Sequence, residues 1–122
     1  HPNLRVVSGS DLERAGLSYT DLLAASDVVA TKLGYGIVSE CVANGVPLLY
    51  TPRGRFIEQD VFMREMPAVL RSRLIPVEDL REGRWAAAVH ALLAQPQPHE
   101  SMRLDGVRVA ADSVEAMLVT AG

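Results

Sequence analysis

The sequence is poor in several residue classes, and each shortage excludes a class of protein. Only one of the 122 residues is a cysteine, Cys41, which excludes an internal disulfide and a cysteine-rich zinc site. Aromatic residues make up 5%, too few for a platform on which nucleic-acid bases stack. Twelve basic against fifteen acidic residues give a net charge of −3, with no basic excess for binding nucleic acid. No apolar run approaches the roughly 20 residues of a membrane-spanning helix.

The rest of the composition is typical of one soluble globular domain over residues 1–122. Hydrophobic residues make up 48% and charged residues 22%, both ordinary values. A single thiol is compatible with a reducing compartment, so we expect a cytoplasmic location. The chain begins His1-Pro2 without a methionine or a signal-peptide pattern. We therefore expect it to be part of a longer polypeptide.

Short β-branched runs alternate with stretches of helical periodicity along the chain. Strands are predicted at residues 4–8, 28–30, 47–50 and 74–77, with a turn at Gly9 and Ser10 after the first. Helices are predicted at 17–25 with Ser18 or Thr20 as the cap, at 37–44 before Gly45, from 57 until Pro67 interrupts it, at 85–93 and at 104–119. Strands that alternate with helices through short turns predict an α/β fold with a parallel sheet.

The turn within residues 31–40 is the segment best suited to bind a ligand. Gly34 and Gly36 let an anion approach the backbone, and the helix that follows offers free N–H groups and a partial positive charge. Lys32 would add a full charge. Glu40, about one turn into the helix, can accept two hydrogen bonds from the vicinal diol of a ribose. A capping pair of glycines, with a Glu40 that merely stabilises the helix start, explains the same residues, and both interpretations stay open here.

Three motifs in this order resemble the donor-binding half of GT-B glycosyltransferases. The motifs are Lys-Leu-Gly-Tyr-Gly-Ile-Val-Ser-Glu at 32–40, Asn-Gly-Val-Pro at 44–47 and Glu-Gln at 58–59. They are similar to the bacterial peptidoglycan N-acetylglucosaminyltransferase type and related UDP-glycosyltransferases. They also resemble the glycosyltransferase-like half of plant arabinose kinases. The resemblance covers roughly residues 21–93 and implies a Rossmann-like sheet of about four strands, flanked by helices, as the C-terminal domain of a two-domain protein.

The resemblance also implies a role for individual residues. Glu40 matches the glutamate that binds the ribose hydroxyls, and Lys32 lies where relatives have a basic residue or histidine near the diphosphate. Glu58 and Gln59 match the acid–Gln pair that hydrogen-bonds the sugar. The complete donor-binding set that the resemblance implies is Lys32, Gly34, Tyr35, Gly36, Ile37, Val38, Glu40, Glu58 and Gln59.

The sequence departs from the family pattern in two places. Gly36 and Ile37 replace the Asn-Ser of the plant signature, so side-chain contacts to phosphate would be missing there. The loop at residues 52–58 is about two residues longer than in the plant enzymes. Within it, Arg53 and Arg55 would reach the same sheet edge and clamp a phosphate, or remain solvated loop charges.

The implied reaction is transfer of a sugar from a nucleotide diphosphate, UDP by family expectation, to an acceptor hydroxyl. No catalytic residue is expected here, because the general base would come from the N-terminal acceptor domain of the same polypeptide. No cofactor or metal is expected, since such enzymes generally need none and no histidine pair has ligand spacing. The alternatives are a non-catalytic nucleotide-sugar-binding module and a nucleotide-sugar epimerase. An exposed sheet edge would permit a homodimer.

Overall fold

A three-stranded parallel sheet is the centre of the computed structural model, which describes residues 2–54 and 57–122. The strand order is β1-β2-β3, and the helices between them run back along the sheet. This confirms the predicted α/β fold with a parallel sheet flanked by helices. The elements are α1 (Gly9–Ala15), α2 (Tyr19–Ala24), β1 (Val29–Lys32), α3 (Tyr35–Asn44), β2 (Leu48–Thr51), α4 (Gln59–Val69), β3 (Ser72–Leu74), α5 (Val77–Glu82), α6 (Ala86–Leu93) and α7 (Gly106–Ala121).

The central strand β2 is buried along its whole length, as expected for a parallel strand with helices on both faces. Leu48 and Tyr50 belong to the larger core cluster, whereas Leu49 between them belongs to the smaller one. Alternate side chains of β2 therefore face opposite sides of the sheet. The buried members of the larger cluster are Leu23, Leu33, Val38, Cys41, Val46, Leu48, Tyr50, Met66 and Leu70, and those of the smaller are Leu49, Ile75 and Leu92.

Two reciprocal capping boxes begin the N-terminal helices. Ser18 accepts a hydrogen bond from the Asp21 amide, and the Asp21 carboxylate accepts one from the Ser18 amide. Hydrogen bonds from Ser18 lower the pKa of the Asp21 carboxyl. The cap of α2 is thus Ser18 rather than Thr20. Ser8 and Asp11 make the same box at α1, which is why a helix begins at Gly9 where the sequence predicted a turn.

The prediction of a strand at residues 4–8 is wrong, and these residues lie outside the helices and strands. The side chain of Val6 is 88% exposed, and Leu4 is also well exposed. A strand needs a neighbour for its backbone hydrogen bonds, and this segment pairs with none of the three strands in the described part of the chain. The sheet therefore has three strands rather than four.

Two further boundaries differ from the predictions. Helix α4 continues through Pro67 to Val69, because a proline in the last turn removes only one backbone hydrogen bond. Strand β3 occupies Ser72–Leu74 rather than 74–77, since Val77 begins a short helix, α5, that the periodicity did not indicate.

The outer edge of β3 is covered by a side chain. Gln95 accepts a hydrogen bond from the Ser72 amide at 3.2 Å and donates one to the Ser72 carbonyl at 3.0 Å. The Gln95 amide thereby occupies the position that the backbone of another strand would take. This contact protects the β3 edge against pairing with a further chain.

The outer edge of β1 has no such cover among the described residues. The Val29 amide donates to the Pro47 carbonyl, so the alternate residues Ala30 and Lys32 direct their backbone groups away from β2. The exposed sheet edge expected from the sequence therefore exists at β1, and a homodimer through it stays a prediction. Within residues 2–54 and 57–122, no helix is both long and apolar enough to cross a membrane.

Candidate functional site

The predicted ligand-binding residues meet where β1 and β2 end. Lys32 is the last residue of β1 and stands opposite Thr51, the last residue of β2. The turn into α3 follows Lys32, and the loop that contains Arg53 follows Thr51. Ligands of open parallel sheets bind at this carboxyl edge. We call the group formed by Lys32, residues 34–40, Arg53, Glu58 and Gln59 the carboxyl-edge site.

The N-terminus of α3 is built to present backbone amides. Gly34 is the N-cap residue in an extended conformation, and no side chain caps this end. The first helical hydrogen bond runs from the Val38 amide to the Gly34 carbonyl at 3.1 Å, so the preceding amides lie outside the helical ladder. A methyl group at Gly36 would meet no atom within 4 Å, which leaves open space for a ligand. Ile37 and Val38 pack against the core and offer only their backbone.

Arg53 brings a full positive charge to this helix start. A methyl group built at Gly34 would lie 3.7 Å from the Arg53 Nη1, so the guanidinium stands beside the N-cap of α3. The Arg53 amide donates to the Gln59 Oε1 at 3.2 Å, which ties the loop to the first residue of α4. The structure thus joins Arg53, Gly34 and Gln59 in one place. The predicted phosphate contact Arg55 lies outside the described residues.

Lys32 precedes the glycine turn in the sequence, and Glu40 follows it. Lys32 is exposed at the end of β1, and Glu40 is half-buried in the second turn of α3. In the described part of the chain, the Lys32 ammonium, the Arg53 guanidinium and the Glu40 carboxylate make no ion pair. Charged groups without protein partners at one edge of a sheet are available to a ligand.

Tyr35 connects the start of α3 to α4. Its ring lies edge-to-face on Phe62 with centroids 4.7 Å apart, and Tyr35 and Glu58 line the same groove. Burial of the ring, and then the nearby negative charge of Glu58, raise the pKa of Tyr35. Phe62 was not singled out from the sequence. Its only signal there is a position one helical turn after Glu58.

An apolar groove of about 730 Å³ begins at Tyr35 and Glu58 and continues between α3 and α4. The segment before α7 forms its third wall, and three carboxylates and one guanidinium lie along it. No local sequence pattern indicates this groove, because residues near 40, 65 and 103 form it only after folding. Its lining residues are Tyr35, Val38, Ser39, Val42, Glu58, Val61, Phe62, Glu65, Met66, Ala68, Val69, Glu100, Met102, Arg103 and Leu104.

The carboxyl-edge site offers cations and amides for an anion, and carboxylates for hydroxyl groups. The α3 amides, Lys32 and Arg53 suit phosphate oxygens, which accept hydrogen bonds and carry negative charge. Glu40 and Glu58 suit the hydroxyl groups of sugars. Among the described residues, no three histidine, cysteine, aspartate or glutamate side chains lie close enough to hold a metal ion together.

Comparison with known proteins finds a distant relative. Over 70 residues the chain is 37% identical to an L-arabinokinase from Arabidopsis thaliana. The match covers 56% of this chain, which spans only 7% of the length of that relative. No family model and no solved structure matches the chain. The similarity to a sugar-related enzyme and the parallel sheet agree with part of a Rossmann-like domain.

Proposed function

We propose that this chain binds the donor, a nucleotide sugar, in a glycosyltransferase of the GT-B type. The observation that carries the proposal is the position of the Arg53 guanidinium beside Gly34, at an α3 N-terminus that no side chain caps. A diphosphate at this point would meet a helix dipole, backbone amides and the cations Arg53 and Lys32. The resemblance of residues 32–40 to donor-binding sequences, and the match to an arabinokinase, support the same proposal.

In this proposal Glu40 binds the nucleoside and Glu58 and Gln59 bind the sugar. Glu40 follows the phosphate-binding turn in the second turn of the same helix, and a carboxylate suits the vicinal hydroxyls of a ribose. During transfer, negative charge would accumulate on the diphosphate as the bond to the sugar breaks. The α3 amides, Lys32 and Arg53 would stabilise this charge more in the transition state than in the ground state. The base that activates the acceptor would come from outside this chain.

The test is a calorimetric titration of the folded chain with pyrophosphate, UDP, GDP, ADP and dTDP. We expect one nucleoside diphosphate to bind saturably and pyrophosphate to bind more weakly. Arg53→Gln should weaken both by roughly ten- to one-hundred-fold, because charge-assisted hydrogen bonds are lost. Glu40→Gln should weaken only the nucleotide, since it acts on the ribose. Arg108→Gln and Glu115→Gln on the exposed helix α7 are matched controls.

Two results would contradict the donor-binding proposal. The first is a folded parent protein that binds neither pyrophosphate nor any of the four nucleotides at millimolar concentration. The second is binding that Arg53→Gln and Glu40→Gln leave unchanged. Equal losses of pyrophosphate and nucleotide affinity in Glu40→Gln would show that Glu40 does not contact the ribose.

A non-catalytic nucleotide-sugar-binding module is the second candidate. It is favoured by the start of α3, where Gly36 has no side chain and Ile37 packs against the core. These positions cannot supply the hydroxyl and amide side chains of the plant signature. Release of nucleoside diphosphate from the bound nucleotide sugar by the full-length protein separates the two candidates. Binding without any release would favour the module.

A further inference from the structure

The groove between α3 and α4 has an apolar floor and an apolar rim. Val38 and Met66 form part of the floor and are buried in the larger core cluster. The rim consists of large apolar side chains that are between 49% and 67% exposed, namely Tyr35, Val61, Met102 and Leu104. Exposed apolar side chains that gather along one groove mark a surface on which an apolar group binds.

A backbone hydrogen bond holds the third wall of the groove, the segment at residues 100–104, against α4. The Glu100 amide donates to the Ala68 carbonyl at 3.1 Å. Ala68 lies in the last turn of α4, where the carbonyl groups lack a donor within the helix. Because this bond fixes the wall to the end of α4, the groove is formed before a ligand arrives, as is usual for small-molecule sites.

The volume and the charges of the groove indicate what it binds. About 730 Å³ is the size of a site for a small molecule, for which about 300–1,000 Å³ is usual. Carboxylates of Glu58, Glu65 and Glu100 lie along the groove. The Arg103 guanidinium, which also lines it, donates to both carboxylate oxygens of Asp105, at 3.0 and 2.6 Å. An anionic ligand would therefore be repelled, whereas an uncharged one can donate hydroxyl groups to the carboxylates.

One end of the groove adjoins the carboxyl-edge site. This end, which we call the mouth, lies at Glu58 and at Tyr35, the first residue of α3. In the proposed function Glu58 binds the sugar, and the acceptor hydroxyl has to reach the anomeric carbon of that sugar. A molecule that lies along the groove would present its polar end at the mouth and keep its apolar part on the groove floor.

We infer that the groove binds the apolar chain of the acceptor, an uncharged amphiphile whose hydroxyl group lies at the mouth. The inference rests on the proposed function for the role of acceptor and deepens it by assigning the chemical class of that substrate. In the transfer, the acceptor oxygen forms a bond to the anomeric carbon, and the bond from this carbon to the diphosphate breaks. The electron pair leaves with the diphosphate, and the hydroxyl proton passes to the base outside this chain.

The probes are alkyl glucosides from butyl to octyl, titrated below the concentrations at which they form micelles. NMR of methyl-labelled methionines locates their binding, because Met66 and Met102 line the groove whereas Met117 lies in α7. We expect saturable shifts at Met66 and Met102 but not at Met117. The Kd should fall about three- to fourfold with each added methylene. Nonanoate, which has the same eight-carbon chain as octyl glucoside, should bind at least about tenfold more weakly because of its charge.

Two matched pairs of variants test the groove itself. Leu104 and Leu118 are 67% and 68% exposed, and of the two only Leu104 lines the groove. Leu104→Ser should weaken the binding of octyl glucoside by about three- to tenfold, whereas Leu118→Ser should not change it. Val61→Thr and Val114→Thr are the second pair, which keeps the side-chain shape, and only Val61→Thr should weaken binding.

The inference is overturned if octyl glucoside at millimolar concentration shifts neither Met66 nor Met102, or if the affinity does not depend on chain length. Equal effects of the two variants in both pairs would also overturn it. Equal affinity for nonanoate would contradict an uncharged ligand. Displacement of the glucoside by the nucleotide that binds the parent protein would contradict the role of acceptor, because the two would then share one site.

The same titrations distinguish this inference from the proposed function. If a nucleoside diphosphate binds and no alkyl glucoside does, the inference fails and the donor-binding proposal stands. If the glucosides bind in the groove and no nucleotide binds the folded chain, the groove stands as a site for uncharged amphiphiles. The role of acceptor then fails together with the proposed function.

Discussion

Cys41 shows how one buried side chain of the site-bearing helix responds to its surroundings. The residue is fully buried in α3 directly after Glu40. Burial, and then the negative charge of Glu40, raise the pKa of the Cys41 thiol to about 11. Because the thiolate is the nucleophile, we expect the native protein to react very slowly with thiol reagents at pH 8. Mass spectrometry measures the rate of alkylation, which should be at least about one-hundred-fold faster in 8 M urea.

The raised pKa of Cys41 makes the free energy of unfolding depend on pH in the alkaline range. An unfolded thiol ionises near its ordinary pKa, whereas the folded one stays neutral up to about 11. The free energy of unfolding should therefore be unaffected below pH 8 and fall by up to about 1.4 kcal/mol per unit as the pH rises beyond the ordinary thiol pKa. Urea unfolding of the parent and of Cys41→Ala measures this, since the variant should lack that part of the slope. Identical slopes in both proteins would contradict the prediction.

At the scale of the element, the strands and helices with strong local signals were predictable. The short apolar runs at 28–30 and 47–50 became β1 and β2, and the periodicity at 37–44 and 85–93 became most of α3 and α6. Residues 4–8 have the same local pattern, yet whether such a run forms a strand depends on a partner that the pattern does not contain. Helices α1 and α5 are short and depend on caps and tertiary packing, which periodicity does not detect.

The candidate site was predictable to the extent that it is continuous in sequence. The turn at residues 32–40 was identified as a unit, and the parallel register of β1 and β2 brings Arg53 to it as expected. The contact of Tyr35 with Phe62 was not predicted. It depends on how α3 and α4 lie on the sheet, and no local pattern specifies that arrangement.

The cap of α2 gives a prediction for a single element. Ser18 and Asp21 form a reciprocal capping box, whereas Thr20 lies within the first turn and is exposed. Ser18→Ala should lower the free energy of unfolding by about 1 kcal/mol, because it removes the acceptor for the Asp21 amide. Thr20→Ala should change it by less than about 0.5 kcal/mol, as expected for a surface substitution. Equal effects in urea unfolding would show that the capping box does not stabilise the helix.

At the scale of the whole molecule, apolar side chains remain exposed at both ends of the described chain. Leu4 and Val6 are exposed before α1, and α7 contains no buried residue although Val107 and Leu118 lie along it. The core consists of the two clusters on either face of the sheet, and none of its members comes from α7. The stability of the domain should therefore depend on the sheet and its flanking helices, and α7 should contribute little to it.

Removal of residues 106–122 tests this division directly. The shortened chain keeps the groove wall at Met102 and Leu104 and loses only side chains that are exposed, so we expect its Tm to change by less than about 2 °C. Leu92→Ala, by contrast, removes a fully buried side chain of the smaller cluster and should cost about 2–5 kcal/mol. Thermal unfolding is followed by the fluorescence of Trp85, whose indole donates to the Asp79 carbonyl of α5 and lies outside α7. A large fall in Tm on truncation would mean that α7 packs against the domain in solution. A Leu92→Ala variant as stable as the parent would mean that the smaller cluster is not part of the stabilising core.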